Sequence, residues 1–278
     1  MKDFFKNSAK SIGLIVLYFL VQGLVVLGVM LFYVKFVDGF WTDLIDAMYS
    51  ENSSVNATSM AVMGRILVPT MLISDLLITL PVVLFSKKKK EKIIKKIQIN
   101  KFFIIVLLSL GINIIIELLL NLVPSNVISS YQELMSVTDG MTFWQQMLIM
   151  GILAPVVEEL LFRYAFIRPF RTYQPKVLKC SGITLGIVLS AVSFGIAHGN
   201  IVQSSYAFVL GLLLGYIYTR NFNLSESILM HMTINSSSLI LNVLKEPYSY
   251  VMMVMMLISF VVSIHLIVWE KKRCKNKL

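Results

Sequence analysis

Apolar residues form long stretches of the chain, and short polar segments separate them. A membrane-spanning helix needs about 20 mainly apolar residues, and eight stretches meet or approach that length. They lie at residues 11–35, 60–85, 102–124, 143–167, 180–199, 204–219, 225–243 and 249–269. The pattern predicts an all-α polytopic membrane protein with about eight transmembrane helices.

Composition supports the same class. The 278 residues are 57% hydrophobic and 14% charged, whereas average soluble domains are about 45–50% apolar and about 25% charged. A soluble core cannot cover so much apolar surface, which excludes an ordinary soluble enzyme. Disorder is excluded because disordered chains are polar. The two cysteines, Cys180 and Cys274, fit neither a disulfide framework nor metal-ligand spacing.

Positive charges predict the orientation, because cytoplasmic loops carry an excess of Lys and Arg. With the N-terminus inside, 21 of the 25 Lys and Arg fall in the inner segments 1–10, 86–101, 168–179, 220–224 and 270–278. Both termini are therefore predicted to be cytoplasmic. Nothing in the sequence shows eukaryotic targeting, so the predicted location is a cell membrane, by preference the bacterial cytoplasmic membrane.

The polybasic cytoplasmic loop 86–101 predicts an anchor on anionic lipid headgroups. A docking surface for an acidic partner is the alternative. No nucleic-acid partner is predicted, since no aromatic or motif pattern accompanies the charge.

Ionisable side chains inside the predicted spans are candidates for function, because one at mid-membrane costs about 2.5–3.5 kcal/mol on insertion scales. Asp75 and Glu117 stand alone in the second and third spans. We interpret both as hydrogen-bonding groups between helices, with a catalytic role as the alternative. The fourth span differs, because Glu158 and Glu159 are adjacent there and Arg163 follows.

This acidic pair has two different environments. Glu159 and Arg163 are four residues apart, so they share a helix face and neutralise one another. Glu158 has no partner on its own helix, which leaves its carboxylate available as a general base. The alternative is that both glutamates serve helix packing alone.

Two of the three histidines, which lie in other spans, are further candidates. His198 ends the fifth span, four residues after Phe194, and His231 in the seventh span precedes Asn235 by four. In a bundle these groups could converge on Glu158. Glu158 would take a proton from a water that His198 orients. His231 and Asn235 would donate hydrogen bonds to the developing oxyanion. The predicted reaction class is hydrolysis of an amide or ester in or beside the membrane.

Other chemistries are less well supported. No serine lies in a nucleophile-elbow sequence, and neither cysteine lies within this group of residues. A zinc site is the open alternative, because His and Glu are zinc ligands, although no His-Glu-x-x-His sequence occurs. We predict no metal and no cofactor.

Three motifs occur in order and together resemble those of the CPBP family, the group of CAAX prenyl endopeptidases and bacteriocin-processing or bacteriocin-immunity proteins also called Abi. The motifs are Glu158-Glu159-x-x-x-Arg163, Phe194-x-x-x-His198 and His231-x-x-x-Asn235. The resemblance covers roughly residues 145–243.

The resemblance implies an intramembrane glutamic endopeptidase that cleaves a membrane-bound peptide or protein substrate. By matching position, Glu158 would be the catalytic base and His198 its water-orienting partner. His231 and Asn235 would form the oxyanion hole. Glu159, Arg163 and Phe194 would have supporting roles.

The expected organisation has three parts. Residues 1–142 form a variable N-terminal membrane region with three spans, 143–243 a CPBP-like catalytic core with four, and 244–278 the last span and a basic cytoplasmic tail. The alternative function is a non-catalytic membrane immunity or scaffold protein that binds a partner, of the bacteriocin self-immunity type. A small transporter is less well supported, since the polar residues do not fall in corresponding positions of two halves.

One geometric requirement follows from the rise of about 1.5 Å per residue in a helix. Straight helices place Glu158 and His231 in the inner half of the bilayer and His198 near the outer end of the fifth span. These groups must meet for the predicted chemistry. Either the fifth span is tilted, or it starts later than residue 180, or residues 168–182 partly re-enter the membrane. We predict that the fifth helix is strongly tilted or displaced.

Overall fold

The computed structural model describes residues 2–42, 45, 57–88, 92–136, 138–171 and 181–275. Over these ranges the chain is helical and contains no strand, which confirms the predicted all-α class. The helices are α1 (Lys2–Phe36), α2 (Ala57–Lys88), α3 (Ile99–Leu120), α4 (Ser125–Ser136), α5 (residues 143–170), α6 (Gly182–Ala197), α7 (Ile201–Asn221), α8 (Leu224–Val243) and α9 (Tyr248–Lys275).

Five segments are long and apolar enough to cross a membrane, which confirms a multi-pass membrane protein. They are Ser8–Phe36, Gly64–Leu84, Ile99–Leu120, Ile201–Asn221 and Tyr248–Trp269. The other three predicted spans coincide with α5, α6 and α8. The number of eight spans and the cytoplasmic termini stay predictions.

Some predicted features lie outside the described residues. These are most of the inner segment 168–179, Cys180, much of the polar stretch before α2, and Lys89 and Lys90 of the basic loop.

Helix α4 lies between the third and fourth predicted spans and was not predicted. Its larger apolar side chains recur at helical spacing on one face, as in an amphipathic helix. They are Val127, Ile128, Tyr131, Leu134 and Met135. This spacing is readable in the sequence, but a helix of 12 residues is too short to stand out among membrane spans.

Helix α5 does not wind uniformly. It contains π-helical turns at Met147–Leu153 and Glu159–Ala165, separated by an α-helical segment at Ala154–Glu158. A 3-10 turn, Arg168–Phe170, ends it. Such π turns are rare and occur frequently at functional sites. Here the change from α to π winding falls between Glu158 and Glu159.

Two carbonyls of α5 just before Pro155 accept hydrogen bonds from α8. Proline has no N–H group, so it cannot donate to the carbonyls of Met150 and Gly151, five and four residues earlier. Asn235 Nδ2 donates to the Met150 carbonyl at 3.0 Å, and Ser236 Oγ donates to the Gly151 carbonyl at 3.3 Å. Backbone groups in a membrane must be satisfied within the protein, so these bonds join α8 to α5.

Two buried serines make the same kind of bond further along α5. Ser190 Oγ of α6 donates to the Phe162 carbonyl at 2.6 Å, and Ser11 Oγ of α1 donates to the Phe166 carbonyl at 2.9 Å. Helix α5 contacts α1, α2, α6, α7 and α8. It is therefore the central helix on which the candidate site is built.

Helices α6 and α7 approach closely at glycines. A Cβ atom on Gly195 would lie 2.9 Å from the Ser204 carbonyl oxygen, and one on Gly211 would lie 2.9 Å from Ala191 Cα. These neighbours are backbone atoms and cannot move aside as a flexible side chain would. The small residues thus set the separation of the helix that ends at His198.

We expect Gly195→Leu to lower the stability of the detergent-solubilised protein by about 1–3 kcal/mol, because it overpacks the contact between α6 and α7. Thermal unfolding measures this. Gly23→Leu in α1 is the matched control, since a Cβ there meets no atom within 4 Å. Equal melting temperatures for the two variants would contradict the close packing.

Candidate active site

The two glutamates of α5 reach one imidazole ring from α8. Glu159 Oε1 lies 3.1 Å from His231 Nδ1, a hydrogen bond. Glu158 Oε2 lies 3.6 Å from His231 Nε2, a distance for electrostatic attraction rather than for a hydrogen bond. The sequence left Glu158 without a partner on its own helix, and the structure supplies one from another helix.

Glu159 is the structural member of the pair. Its Oε2 lies 3.2 Å from Arg163 Nε, and both side chains are fully buried. The pairing argued from their spacing is thus present. Because a carboxylate only accepts, His231 Nδ1 is the donor to Glu159. This bond orients the imidazole so that Nε2 faces Glu158.

The charged side chains around His231 differ in how much they are exposed. Glu159 and Arg163 are 0% exposed and His231 is 5% exposed, whereas the Glu158 side chain is 24% exposed. Within this set, Glu158 is the group that a water or a substrate can reach.

The Phe194 side chain contacts residues of all three motifs. Its ring centroid lies 4.7 Å from that of His198 and 5.8 Å from that of His231, both in edge-to-face geometry. The guanidinium carbon of Arg163 lies over the same ring, 4.6 Å from its centroid. One aromatic side chain therefore touches residues from all three motifs, and it brings His198 to the same centre as His231.

His198 has a defined orientation. Its Nδ1 donates to the Phe194 carbonyl at 2.7 Å, since a carbonyl can only accept. In a neutral imidazole this places the proton on Nδ1 and leaves Nε2 as an acceptor.

The length of α6 bears on the depth of His198. The helix has 16 residues and starts at Gly182, so it is about 24 Å long at 1.5 Å per residue. The hydrocarbon core is about 30 Å thick. A helix of this length that starts at one boundary ends before the other. The helix starts two residues later than expected from the sequence, which is about 3 Å along its axis, and its tilt or displacement stays a prediction.

Asn235 shares the His231 face of α8, but part of its side chain is already engaged. One N–H of its amide is used by the Met150 carbonyl. An asparagine amide has two N–H groups, so one donor is left for another partner.

An apolar groove of about 580 Å³ lies between α3, α4, α7 and α9. Tyr206 is part of its wall and also packs on the apolar cluster that contains Phe194. The Tyr206 hydroxyl lies 3.5 Å from that of Tyr131 on α4. No motif marked these tyrosines, because their significance depends on which helices are neighbours.

The arrangement suits proton transfer to and from water. It combines a partly exposed carboxylate, two oriented histidines and a spare amide N–H. The described residues contain no group of three or more His, Cys, Asp or Glu side chains placed to hold a metal ion.

The fold and the site together define a multi-pass membrane protein with an acid–histidine centre between its helices. Residues 140–237 match the family model described as type II CAAX prenyl endopeptidase Rce1-like. This segment contains all three motifs, and over these residues the match confirms the resemblance that the motifs carry. It supports a CAAX-type intramembrane protease. No curated protein and no solved structure matches the chain.

Proposed function

We propose that the protein is an intramembrane endopeptidase that hydrolyses a peptide bond of a membrane-associated protein or peptide. The observation that carries this proposal is the partly exposed Glu158 carboxylate, held beside His231 in a segment that matches a CAAX prenyl endopeptidase family.

In the proposed reaction Glu158 takes a proton from water, and the resulting hydroxide attacks the carbonyl carbon of the scissile bond. His198 Nε2 accepts a hydrogen bond from that water and orients it. The proton on Glu158 then passes to the leaving amine, so the carboxylate is regenerated.

The negative charge that develops on the carbonyl oxygen needs donors that are already in place. His231 and the second N–H of Asn235 have this role in the proposal. For His231 to donate to this oxygen, its Nε2 must carry a proton in addition to the Nδ1 proton that Glu159 accepts. Glu159 and Arg163 hold the imidazole in position, and Phe194 holds both histidines.

A lipid-modified peptide is the substrate class that we propose. The matching family is described as a prenyl endopeptidase, and prenylation sites have the form C-a-a-X at a C-terminus. The apolar groove would take the hydrocarbon chain, because Tyr206 connects its wall to the Phe194 cluster.

The direct test is cleavage of a farnesylated fluorogenic C-a-a-X peptide by the purified protein in lipid nanodiscs, with products identified by mass spectrometry. The same peptide without the farnesyl group shows whether the hydrocarbon chain contributes to substrate binding. A chelator series separates a glutamate mechanism from a metalloenzyme. A cellular phenotype that survives both Glu158→Gln and His198→Ala would instead favour the non-catalytic immunity or scaffold function.

We also propose that the protein lies in a bacterial cytoplasmic membrane with both termini inside and the basic loop 86–101 on anionic lipid. The distribution of Lys and Arg supports this orientation. Reporter fusions at the two termini test it, and a periplasmic signal from either terminus would contradict it.

Filling the groove should weaken substrate binding. Val209 is an exposed residue in the groove wall, and we expect Val209→Trp to raise KM for the farnesylated peptide about 10-fold or more with kcat unchanged, as for loss of uniform binding. Val251→Trp on α9 is the control, since Val251 is similarly exposed but is not in the groove wall. An unchanged KM for Val209→Trp would exclude the groove as the lipid site.

A further inference from the structure

Asp75 is a buried carboxylate whose structural role is not apparent from its contacts. It lies in α2, in the second predicted span, and is 8% exposed. Among the described residues, its carboxylate makes no hydrogen bond and no ion pair. An ionisable group in a membrane is costly and usually faces a partner or a water-filled cavity.

Glu117 provides the comparison, because the sequence suggested the same role for both residues. The Glu117 carboxylate accepts a hydrogen bond from Ser238 Oγ at 2.9 Å and so joins α3 to α8. That contact agrees with a hydrogen-bonding group between helices. Among the residues that the structure describes, Asp75 has no equivalent contact between helices.

The surroundings of Asp75 point to the candidate site. Helix α2 packs against the Ala154–Glu158 segment and against both π turns of α5. The Asp75 carboxylate lies within electrostatic range of Glu158. Tyr18 of α1 lies within range of both carboxylates. Helices α1, α2 and α5 therefore place two acids and a phenol within electrostatic range of one another.

The neighbouring charges are already engaged elsewhere. Arg163 and His231 both bind Glu159, and the Tyr206 hydroxyl, which is also within range of Glu158, faces Tyr131. Among the described residues, the side chains of Tyr18 and Asp75 make no hydrogen bond, and the Glu158 carboxylate has His231 Nε2 at 3.6 Å. A buried water typically makes two to four hydrogen bonds, and these three groups can supply that number.

We propose that Asp75 and Tyr18 are positioning residues that, together with Glu158, hold the water that is activated for hydrolysis. The inference rests on the proposed function. It also extends the site beyond residues 140–237 into the N-terminal region, where no sequence motif occurs.

The first test uses kinetics with the farnesylated C-a-a-X peptide. Asp75→Leu should lower kcat on the order of 100-fold with KM unchanged, because a misplaced nucleophile loses its orientation. Asp75→Asn, which keeps a polar side chain, should recover part of the loss, and Tyr18→Phe should cause a smaller one. A kcat equal to wild type in Asp75→Leu would overturn the inference.

The second test does not depend on activity. Because Asp75 has no partner to lose, Asp75→Leu should leave the melting temperature unchanged or raise it. The matched variant Glu117→Leu leaves Ser238 without its partner, so it should lower the melting temperature and keep kcat. A melting temperature that falls in Asp75→Leu as it does in Glu117→Leu would identify Asp75 as a structural group and overturn the inference.

The two tests also separate this inference from the proposed function. Wild-type protein that cleaves no peptide would contradict the proposed function, and the unfolding data would still decide whether Asp75 stabilises the fold. Active wild type with a fully active, destabilised Asp75→Leu variant would contradict the inference alone.

Discussion

Glu158→Gln is expected to lower kcat for peptide cleavage by about 10²–10⁴-fold, the usual contribution of a general base. Glutamine has nearly the same shape as glutamate but cannot take a proton from water. The variant should fold normally, because Glu158 is partly exposed and its nearest described polar contact, His231 Nε2, is 3.6 Å away. Cleavage rates and melting temperatures of the two proteins in the same lipid measure both effects.

Glu133→Gln is the matched control for this prediction. Glu133 is an exposed carboxylate on α4, so its replacement should change neither rate nor stability. Cleavage by Glu158→Gln at the wild-type rate would exclude Glu158 as the base, and the choice of catalytic residues would then have to change.

Arg163→Met is expected to cause the largest loss of stability, about 3–5 kcal/mol, which is typical when one partner of a buried ion pair is removed. The change leaves the fully buried Glu159 carboxylate without its cation. It also removes the guanidinium from the face of the Phe194 ring. Thermal unfolding in detergent measures the loss, and activity should fall with it because Glu159 orients His231.

A double variant separates charge from packing. Glu159→Gln combined with Arg163→Met removes both charges, so it should recover much of the stability that Arg163→Met loses. Arg65→Met is the control, since the Arg65 side chain is exposed and exposed ion pairs contribute about 0–1 kcal/mol. If Arg163→Met were as stable as Arg65→Met, the buried pair would not be a determinant of the fold.

Much of the fold could be predicted because the length of an apolar stretch is a property of contiguous residues. Each of the eight predicted spans coincides with a helix. The winding of α5 could not be predicted in the same way. Pro155 indicates that carbonyls lose a donor, but the donors that replace it, Asn235 and Ser236, come from a distant part of the chain.

The candidate site, like the fold, could be predicted from the sequence only in part. The Glu159–Arg163 pair follows from spacing on one helix. The position of His231 between Glu158 and Glu159 does not, because it depends on the packing of α8 against α5. For a similar reason, the sequence could not distinguish Asp75 from Glu117. Only the neighbouring helices show that Glu117 has a hydrogen-bond partner on α8 and that Asp75 lies within electrostatic range of Glu158.

By itself the sequence determined the class of the protein, its apolar segments and the three motifs, since hydrophobic length and residue spacing act within single helices. Tertiary structure decided which polar groups meet. Phe194 packs against His198 and His231, and one N–H of Asn235 donates to the Met150 carbonyl. Helices α1 and α2 also pack against the helix that carries the candidate site. The physical reason is that buried polar groups in a membrane must find their partners inside the protein, and most of those partners lie on other helices.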